Sequence, residues 1–291
     1  MLKEGITLIH EHTTIDLSRI KGIDDTNLNC KDETIEEFKE LYDLGVRNII
    51  DVTACGMGRN VDYVNEVAEK SKINIIQSTG FYKEPFLPDF VYEYTVEELK
   101  DFMVNEIQNG IDGTDTKACV IGEIGTSKDS FEEMEKKVFE AAIKAHLETG
   151  TIISTHTSLG TMAREQAKMF INRGVNPKKV IIGHQDLSED LEQIKYLINE
   201  GFWVAFDTIG KNNYVLDTEK IKFLVDLQEN NMLDSIVMSM DITRKSNMKY
   251  MGGIGYTYLF TNFIPMMKEA GITDASINKI FVENPKKIFG V

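Results

Sequence analysis

Eight short apolar runs recur along this chain, and segments with helical periodicity separate them. Such runs are typical of parallel strands that are buried on both faces. The predicted strands are residues 6–10, 48–53, 74–80, 118–125, 151–157, 180–186, 202–210 and 235–241. The predicted helices are residues 34–44, 131–146, 162–172, 187–199, 219–228 and 254–270, with a short C-terminal helix ending near Phe289. Strands that alternate with helices in this way predict an α/β fold, a (β/α)8 TIM barrel.

The chain length suits one such barrel with modest extra loops. Proline is scarce among the 291 residues and no low-complexity linker interrupts them, so we predict a single domain over residues 1–291. An open, doubly wound sheet is the alternative fold. That fold usually carries a glycine-rich loop after its first strand. Here the first strand is followed by His10, Glu11 and His12, which favours the barrel.

Composition restricts the partners and the location. The net charge of −15 repels nucleic-acid phosphates, and no basic cluster offsets it. No apolar run approaches the roughly 18 residues of a membrane span. The N-terminal residues lack a secretory pattern, and the three cysteines form no disulfide framework. We therefore expect a cytoplasmic protein that binds neither nucleic acid nor membranes.

Histidines and carboxylates stand at the ends of the predicted strands. The C-terminal ends of barrel strands meet at one face, where barrel active sites lie. Imidazole and carboxylate groups are preferred ligands of divalent metals. The six residues at these ends are His10, His12, Glu123, His156, His184 and Asp241. Their placement predicts one shared site for two metal ions.

Two further features refine this set. His10 and His12 are two positions apart, so on a strand their side chains point the same way, and Glu11 points to the other face. The remaining histidine, His146, lies in a helical pattern. We interpret His146 as a helix-packing or surface residue outside the site.

Three residues near the same strand ends are candidates for substrate binding. Arg244 follows Asp241 by three positions and can grip a phosphate or carboxylate with two hydrogen bonds. Lys211 follows the seventh predicted strand. Tyr256 lies in a glycine-rich loop that we expect to form a flexible rim. The two cations predict a small-molecule, anionic substrate.

The ordered set of motifs resembles the amidohydrolase superfamily. Within it the chain resembles the phosphotriesterase family, specifically the phosphotriesterase homology proteins. The resemblance extends over essentially the whole chain, and the matching stretches are residues 9–12, 121–126, 153–157, 183–187, 206–212, 239–244 and 284–285.

The resemblance implies two divalent metal ions, most often Zn²⁺. His10, His12 and Asp241 would hold the more buried ion, and His156 and His184 the more exposed one. Glu123 would bridge the ions together with a hydroxide that attacks the substrate, and Asp241 would also transfer the proton. The true phosphotriesterases carry a carbamylated lysine where this chain has Glu123, a difference that argues against paraoxon-type activity.

The function expected from this resemblance is hydrolysis of an ester-type bond. The substrate would be a lactone or a phosphoester, including a phosphorylated sugar lactone. Two alternatives stay open: a metal-dependent deoxyribonuclease of the TatD type, and a non-enzymatic metal-binding protein on the same scaffold. Manganese, iron or cobalt would suit these ligands as well as zinc. Barrel helices can form the faces of a homodimer, but no patch in the sequence identifies one, so the oligomeric state stays open.

Overall fold

A computed structural model shows the predicted barrel and describes residues 2–290. It contains ten strands: β1 (Ile6–Glu11), β2 (Ile15–Asp16), β3 (Asn27–Leu28), β4 (Val46–Asp51), β5 (Asn74–Thr79), β6 (Val120–Thr126), β7 (Ile152–Thr157), β8 (Val180–Ile182), β9 (Trp203–Phe206) and β10 (Ile236–Met238). Strands β2 and β3 form a small antiparallel pair. The other eight lie side by side in one parallel sheet, so the prediction of a (β/α)8 barrel is confirmed.

The ring closes between β10 and β1 with the help of side chains. The His10 amide donates a hydrogen bond to Ser239 Oγ at 2.8 Å. The Met240 amide donates to Glu11 Oε1 at 2.7 Å. The two strands that begin and end the barrel are therefore joined next to the predicted metal ligands.

Within residues 2–290, twelve α-helices surround the barrel or lie in its loops. They are α1 (Ser18–Lys21), α2 (Lys31–Asp43), α3 (Val61–Ser71), α4 (Asp89–Glu93), α5 (Val96–Gln108), α6 (Glu133–Thr149), α7 (Ala163–Asn172), α8 (Leu191–Asn199), α9 (Asp217–Glu229), α10 (Ile264–Glu269), α11 (Asp274–Asn278) and α12 (Asn284–Phe289). Two π-helical segments, Leu259–Phe263 and Lys279–Glu283, precede α10 and α12. None of the described helices combines the length and apolar character of a membrane span.

An apolar cluster fills the inside of the barrel. It takes at least one residue from each barrel strand, from Ile9 in β1 to Val237 in β10. Ile288 of α12 packs into the same cluster. A larger cluster lies between the strands and the outer helices. The interior is thus a packed core, and polar groups gather where the strands end.

The sequence prediction placed the ends of the last three strands too late. Strands β8, β9 and β10 contain only three or four residues, so His184 and Asp241 lie beyond them. Both residues have positive φ, 55° for His184 and 50° for Asp241. The apolar runs continue past the strands because the turns are also buried, and hydrophobicity alone does not mark where the backbone leaves the sheet.

Two long helices, α3 and α5, were absent from the prediction. Local signals for both exist in the sequence. The Asn60 side chain accepts a hydrogen bond from the Tyr63 amide at the start of α3. Thr95 and Glu98 form a capping box at the start of α5, a Thr-x-x-Glu pattern that sequence reading can detect.

Candidate metal centre

Glu123 lies at the centre of the strand-end cluster. Its Oε1 is 3.4 Å from His12 Nε2. Its Oε2 is 3.4 Å from His10 Nε2, 3.2 Å from His156 Nδ1 and 3.6 Å from His184 Nε2. One carboxylate therefore faces all four predicted histidine ligands, His12 through Oε1 and the other three through Oε2.

A glycine allows Glu123 to occupy this position. Gly122 has φ of +136°, a conformation that favours glycine. A Cβ atom at Gly122 would lie 2.0 Å from the carbonyl oxygen of Ser154 on β7. The Glu123 amide donates to the carbonyl of Val52 at 3.0 Å. Close contact between strands thus fixes the backbone from which the central carboxylate projects.

Asp241 approaches the cluster from the end of β10. Its Oδ1 is 3.2 Å from His12 Nε2 and 3.9 Å from His10 Nε2. Its Oδ2 accepts a hydrogen bond from Lys211 Nζ. The side chain is therefore shared between the histidine pair of β1 and a cation in the loop after β9.

Neighbouring groups orient the histidines. Asp207 Oδ1 accepts a hydrogen bond from the His184 amide at 2.9 Å and lies 2.7 Å from His184 Nδ1. Thr53 Oγ1 lies 2.8 Å from His12 Nδ1. Such contacts leave the opposite ring nitrogen free for a metal and fix the ring plane. Sequence reasoning noted Asp207 within a motif without assigning a role, although its position directly after β9 was a signal.

The donor atoms of this cluster fit divalent metal ions. Both ring nitrogens of His10 and Nε2 of His12 are buried and have no hydrogen-bond partner among the described residues. Buried polar atoms in proteins are normally paired, so these lone pairs point to a ligand. Three compact groups could hold a metal: His10, His12 and Glu123; Glu123, His156 and His184; and His10, His184 and Asp207. In the last group Asp207 already binds His184, so we assign it an orienting role.

Charges in the cluster are strongly coupled. Burial opposes the charge on Glu123, but the histidines outweigh it and hold the pKa of Glu123 well below its usual range. Burial also opposes the charge on His12, yet Asp241 and Glu123 raise the pKa of His12 to about 10. Burial and the charge of His184 lower the pKa of His156 to about 4. A divalent cation would displace the proton that His12 holds, so metal binding should release protons.

The cluster forms the floor of a cavity of about 210 Å³. Two residues that sequence reasoning missed line its wall. Tyr82 places its hydroxyl 3.2 Å from the His156 ring nitrogens. Lys21, the last residue of α1, also lines the cavity, and its Nζ has no carboxylate within ion-pair distance among the described residues. Only the position of Tyr82, shortly after β5, was a readable signal.

The two predicted cationic residues, Lys211 and Arg244, lie at different distances from the cluster. Lys211 lines the cavity of about 210 Å³ that the predicted metal ligands also line. Arg244 lines an adjoining polar cavity of about 270 Å³, where its Nη1 is 3.3 Å from Asp25 Oδ2. The two cavities share Lys211, Tyr214 and Thr243. Arg244 is thus one cavity away from the predicted metal ligands.

The prediction that Tyr256 lies on a flexible rim is wrong. Its side chain is fully buried and packs edge-on against Phe38, with ring centroids 4.9 Å apart. Its hydroxyl donates to the carbonyl oxygen of His12 at 2.6 Å. Tyr256 therefore supports the backbone of a predicted ligand from behind, and it offers no surface to a substrate.

His146 is separate from the site. It lies on α6, and its Nδ1 is 2.7 Å from the carbonyl oxygen of Thr151. This contact joins the end of the helix to the start of β7, as a helix-packing residue should.

Comparisons with known proteins identify the relatives of this chain. The phosphotriesterase homology protein of Escherichia coli K12 is 43% identical over 285 residues, which cover 98% of each chain. Its crystal structure, with phosphate in the active site, matches with a TM-score of 0.96 over 98% of both chains. The phospho-furanose lactonase of Mycoplasmopsis synoviae is 33% identical over 98% of this chain and 88% of its own.

A solved lactonase is similar as well. The lactonase Lmo2620 from Listeria monocytogenes has a TM-score of 0.93 and 29% identity over 98% of this chain and 94% of its own. The profile of the phosphotriesterase family matches residues 2–289. The predicted resemblance is confirmed, and the chain belongs to the phosphotriesterase family of hydrolases.

Proposed function

We propose that this protein is a binuclear, zinc-dependent hydrolase of an anionic ester-type substrate, with a phosphorylated sugar lactone as the leading candidate. One observation carries the proposal: a single carboxylate, Glu123, faces four histidine side chains at the floor of a cavity whose wall carries Lys21 and Lys211. Predicted metal ligands and two lysines thus line one cavity of about 210 Å³.

His10, His12 and Asp241 would hold one ion, His156 and His184 the other, and Glu123 would contact both. When bound, the ions would make water ionise near neutral pH and polarise the substrate carbonyl. Asp241 would accept a proton from the attacking water and pass it to the leaving oxygen. Lys211 keeps Asp241 ionised, because their contact holds the pKa of Asp241 below its usual range, against the opposing effect of burial.

The arrangement of cations supports a negatively charged substrate. Lys21 lies in the cavity wall without a carboxylate partner, and Lys211 and Arg244 follow toward the adjoining cavity. In a chain with a net charge of −15, cations gathered at one opening attract anions locally. A substrate that places its ester over the metals could extend a phosphate toward Arg244, whose partner Asp25 would be replaced by the phosphate.

The relatives support the same class of substrate. One is named a phospho-furanose lactonase, another is a lactonase, and the crystal structure of a third holds phosphate in its active site. A phosphorylated furanose lactone combines the ester and the anion that the two cavities would accommodate.

Proton release from γ-lactones, with and without a terminal phosphate, tests this proposal. Zinc- and manganese-loaded protein should hydrolyse the phosphorylated lactones with the lower KM, and Glu123→Ala should be inactive. Arg244→Ala should raise KM for the phosphorylated lactone much more than for its neutral analogue. Equal effects on both substrates would refute the role of Arg244.

The same preparation separates the alternative functions. Metal-dependent cleavage of single-stranded DNA without lactone turnover would favour a TatD-type nuclease. Two bound metals without turnover of any lactone, ester, phosphate or DNA substrate would favour a non-enzymatic metal-binding protein. Turnover of phosphate esters alone would keep the hydrolase and replace the lactone.

A further inference from the structure

The backbone around Asp241 has left the sheet, and a side chain from β1 replaces the lost contacts. Strand β10 ends at Met238, and the Ser239 amide bonds to the carbonyl of Phe206. The amides of the two residues that flank Asp241 donate to the Glu11 carboxylate instead. Met240 N donates to Glu11 Oε1 at 2.7 Å, and Ile242 N donates to Glu11 Oε2 at 3.3 Å.

The residue between these two amides has an unusual conformation. Asp241 has φ of +50°, in the left-handed region that costs a non-glycine residue free energy. Such a conformation persists when its surroundings impose it. The two oxygens of the Glu11 carboxylate accept hydrogen bonds from the amides of the residues before and after Asp241, and so hold the backbone on both sides of it.

The position of Glu11 in the sequence makes this possible. Its neighbours His10, on β1, and His12, directly after it, point into the cluster, and Glu11 points to the opposite side because side chains alternate along a strand. Its side chain is fully buried. Three consecutive residues thus have two tasks. His10 and His12 belong to the cluster, and Glu11 holds the backbone on either side of Asp241.

We propose that Glu11 is a positioning residue that sets the direction of Asp241 toward the metal ion shared with His10 and His12. The inference rests on the proposed metal-dependent function. Glu11 itself does not reach the ion or the substrate. It acts through the backbone on which Asp241 is held, 3.2 Å from His12 Nε2.

A matched pair of variants tests the role. Glu11→Gln keeps the size of the side chain but turns one acceptor into a donor, which opposes an amide N–H. Glu37→Gln makes the same change at a buried carboxylate that also accepts two backbone amides, from Lys249 at 2.7 Å and Tyr256 at 2.8 Å. Glu37 holds the same loop after β10, but its amide partners do not flank Asp241.

The measurement is the Co²⁺ affinity of each protein, obtained by competition with a chelator and followed by visible absorption. Wild type should bind two ions. Glu11→Gln should bind one of them about 10–100-fold more weakly, the usual effect of losing a group that orients a ligand. Glu37→Gln should bind both within about threefold of wild type, and Glu11→Asp should recover part of the affinity.

Unchanged affinity in folded Glu11→Gln, or an equal loss in Glu37→Gln, would overturn the inference and leave the proposed function intact. If Glu11→Gln does not fold, Glu11→Asp decides. Its shorter side chain cannot hold both amides in the present geometry, so undiminished binding of two ions would overturn the role. Wild type that binds no ion would overturn both the inference and the proposed function.

Discussion

Replacing Tyr256 by phenylalanine separates a structural role from a substrate-binding one. The hydroxyl makes a 2.6 Å hydrogen bond to the carbonyl of His12 inside the protein, where no solvent reaches it. Removing the donor leaves a buried carbonyl unpaired, which costs about 1–3 kcal/mol of the free energy of unfolding. The ring and its contact with Phe38 remain.

The change in melting temperature follows from the size of the protein. An unfolding entropy of about 2.1 cal/mol/K per residue over 291 residues is about 0.6 kcal/mol/K. The expected loss of about 1–3 kcal/mol therefore lowers Tm by about 2–5 °C. Tyr258→Phe is the matched control, because its half-buried hydroxyl binds Asp217, a carboxylate with other partners. The control should lose less stability.

Thermal and urea unfolding measure the stability, and steady-state kinetics on the best lactone measure KM. Tyr256→Phe should be less stable than Tyr258→Phe, with KM within about twofold of wild type. A large rise in KM for Tyr256→Phe with undiminished stability would refute this reasoning, since it would show that the hydroxyl meets the substrate.

Three other substitutions test separate parts of the account. Asp207→Asn should weaken binding of one divalent ion about 10–100-fold, measured by chelator competition, because it disturbs the group that orients His184; unchanged affinity would contradict that role. Lys21→Met should raise KM for a phosphorylated lactone by about 2–5-fold, as expected for a partly exposed charge, whereas the exposed Lys128→Met should not; a similar rise for the neutral lactone would argue against charge recognition. Asp241→Asn should lower kcat by about 100- to 10,000-fold, with metal content measured on the same sample; full activity would rule out the proton transfer.

The barrel and the cluster at its mouth could be predicted because two physical rules act locally. Parallel strands buried on both faces read as apolar runs, and the ends of barrel strands meet at one face. The polar residue that follows each run, such as Glu123 or His156, therefore takes its place in the cluster whatever the exact strand boundary. The metal-binding role of these residues stays a prediction.

Other features depend on contacts between distant parts of the chain. Tyr256 is buried because Phe38 and Glu37, more than 200 positions away, receive its ring and its amide. Lys21 lines the cavity because the short helix α1 folds over the barrel mouth, and no periodic pattern in the sequence predicts that position. The left-handed residue Asp241 lies between two amides that donate to Glu11, about 230 positions earlier in the chain.

Anomalous X-ray scattering at the zinc edge, on crystals of zinc-loaded protein, tests the central claim most directly. The account predicts two zinc ions per chain, one on each side of the Glu123 carboxylate. His10, His12 and Asp241 should hold one ion, and His156 and His184 the other. A single ion, or ions that do not contact Glu123, would contradict it.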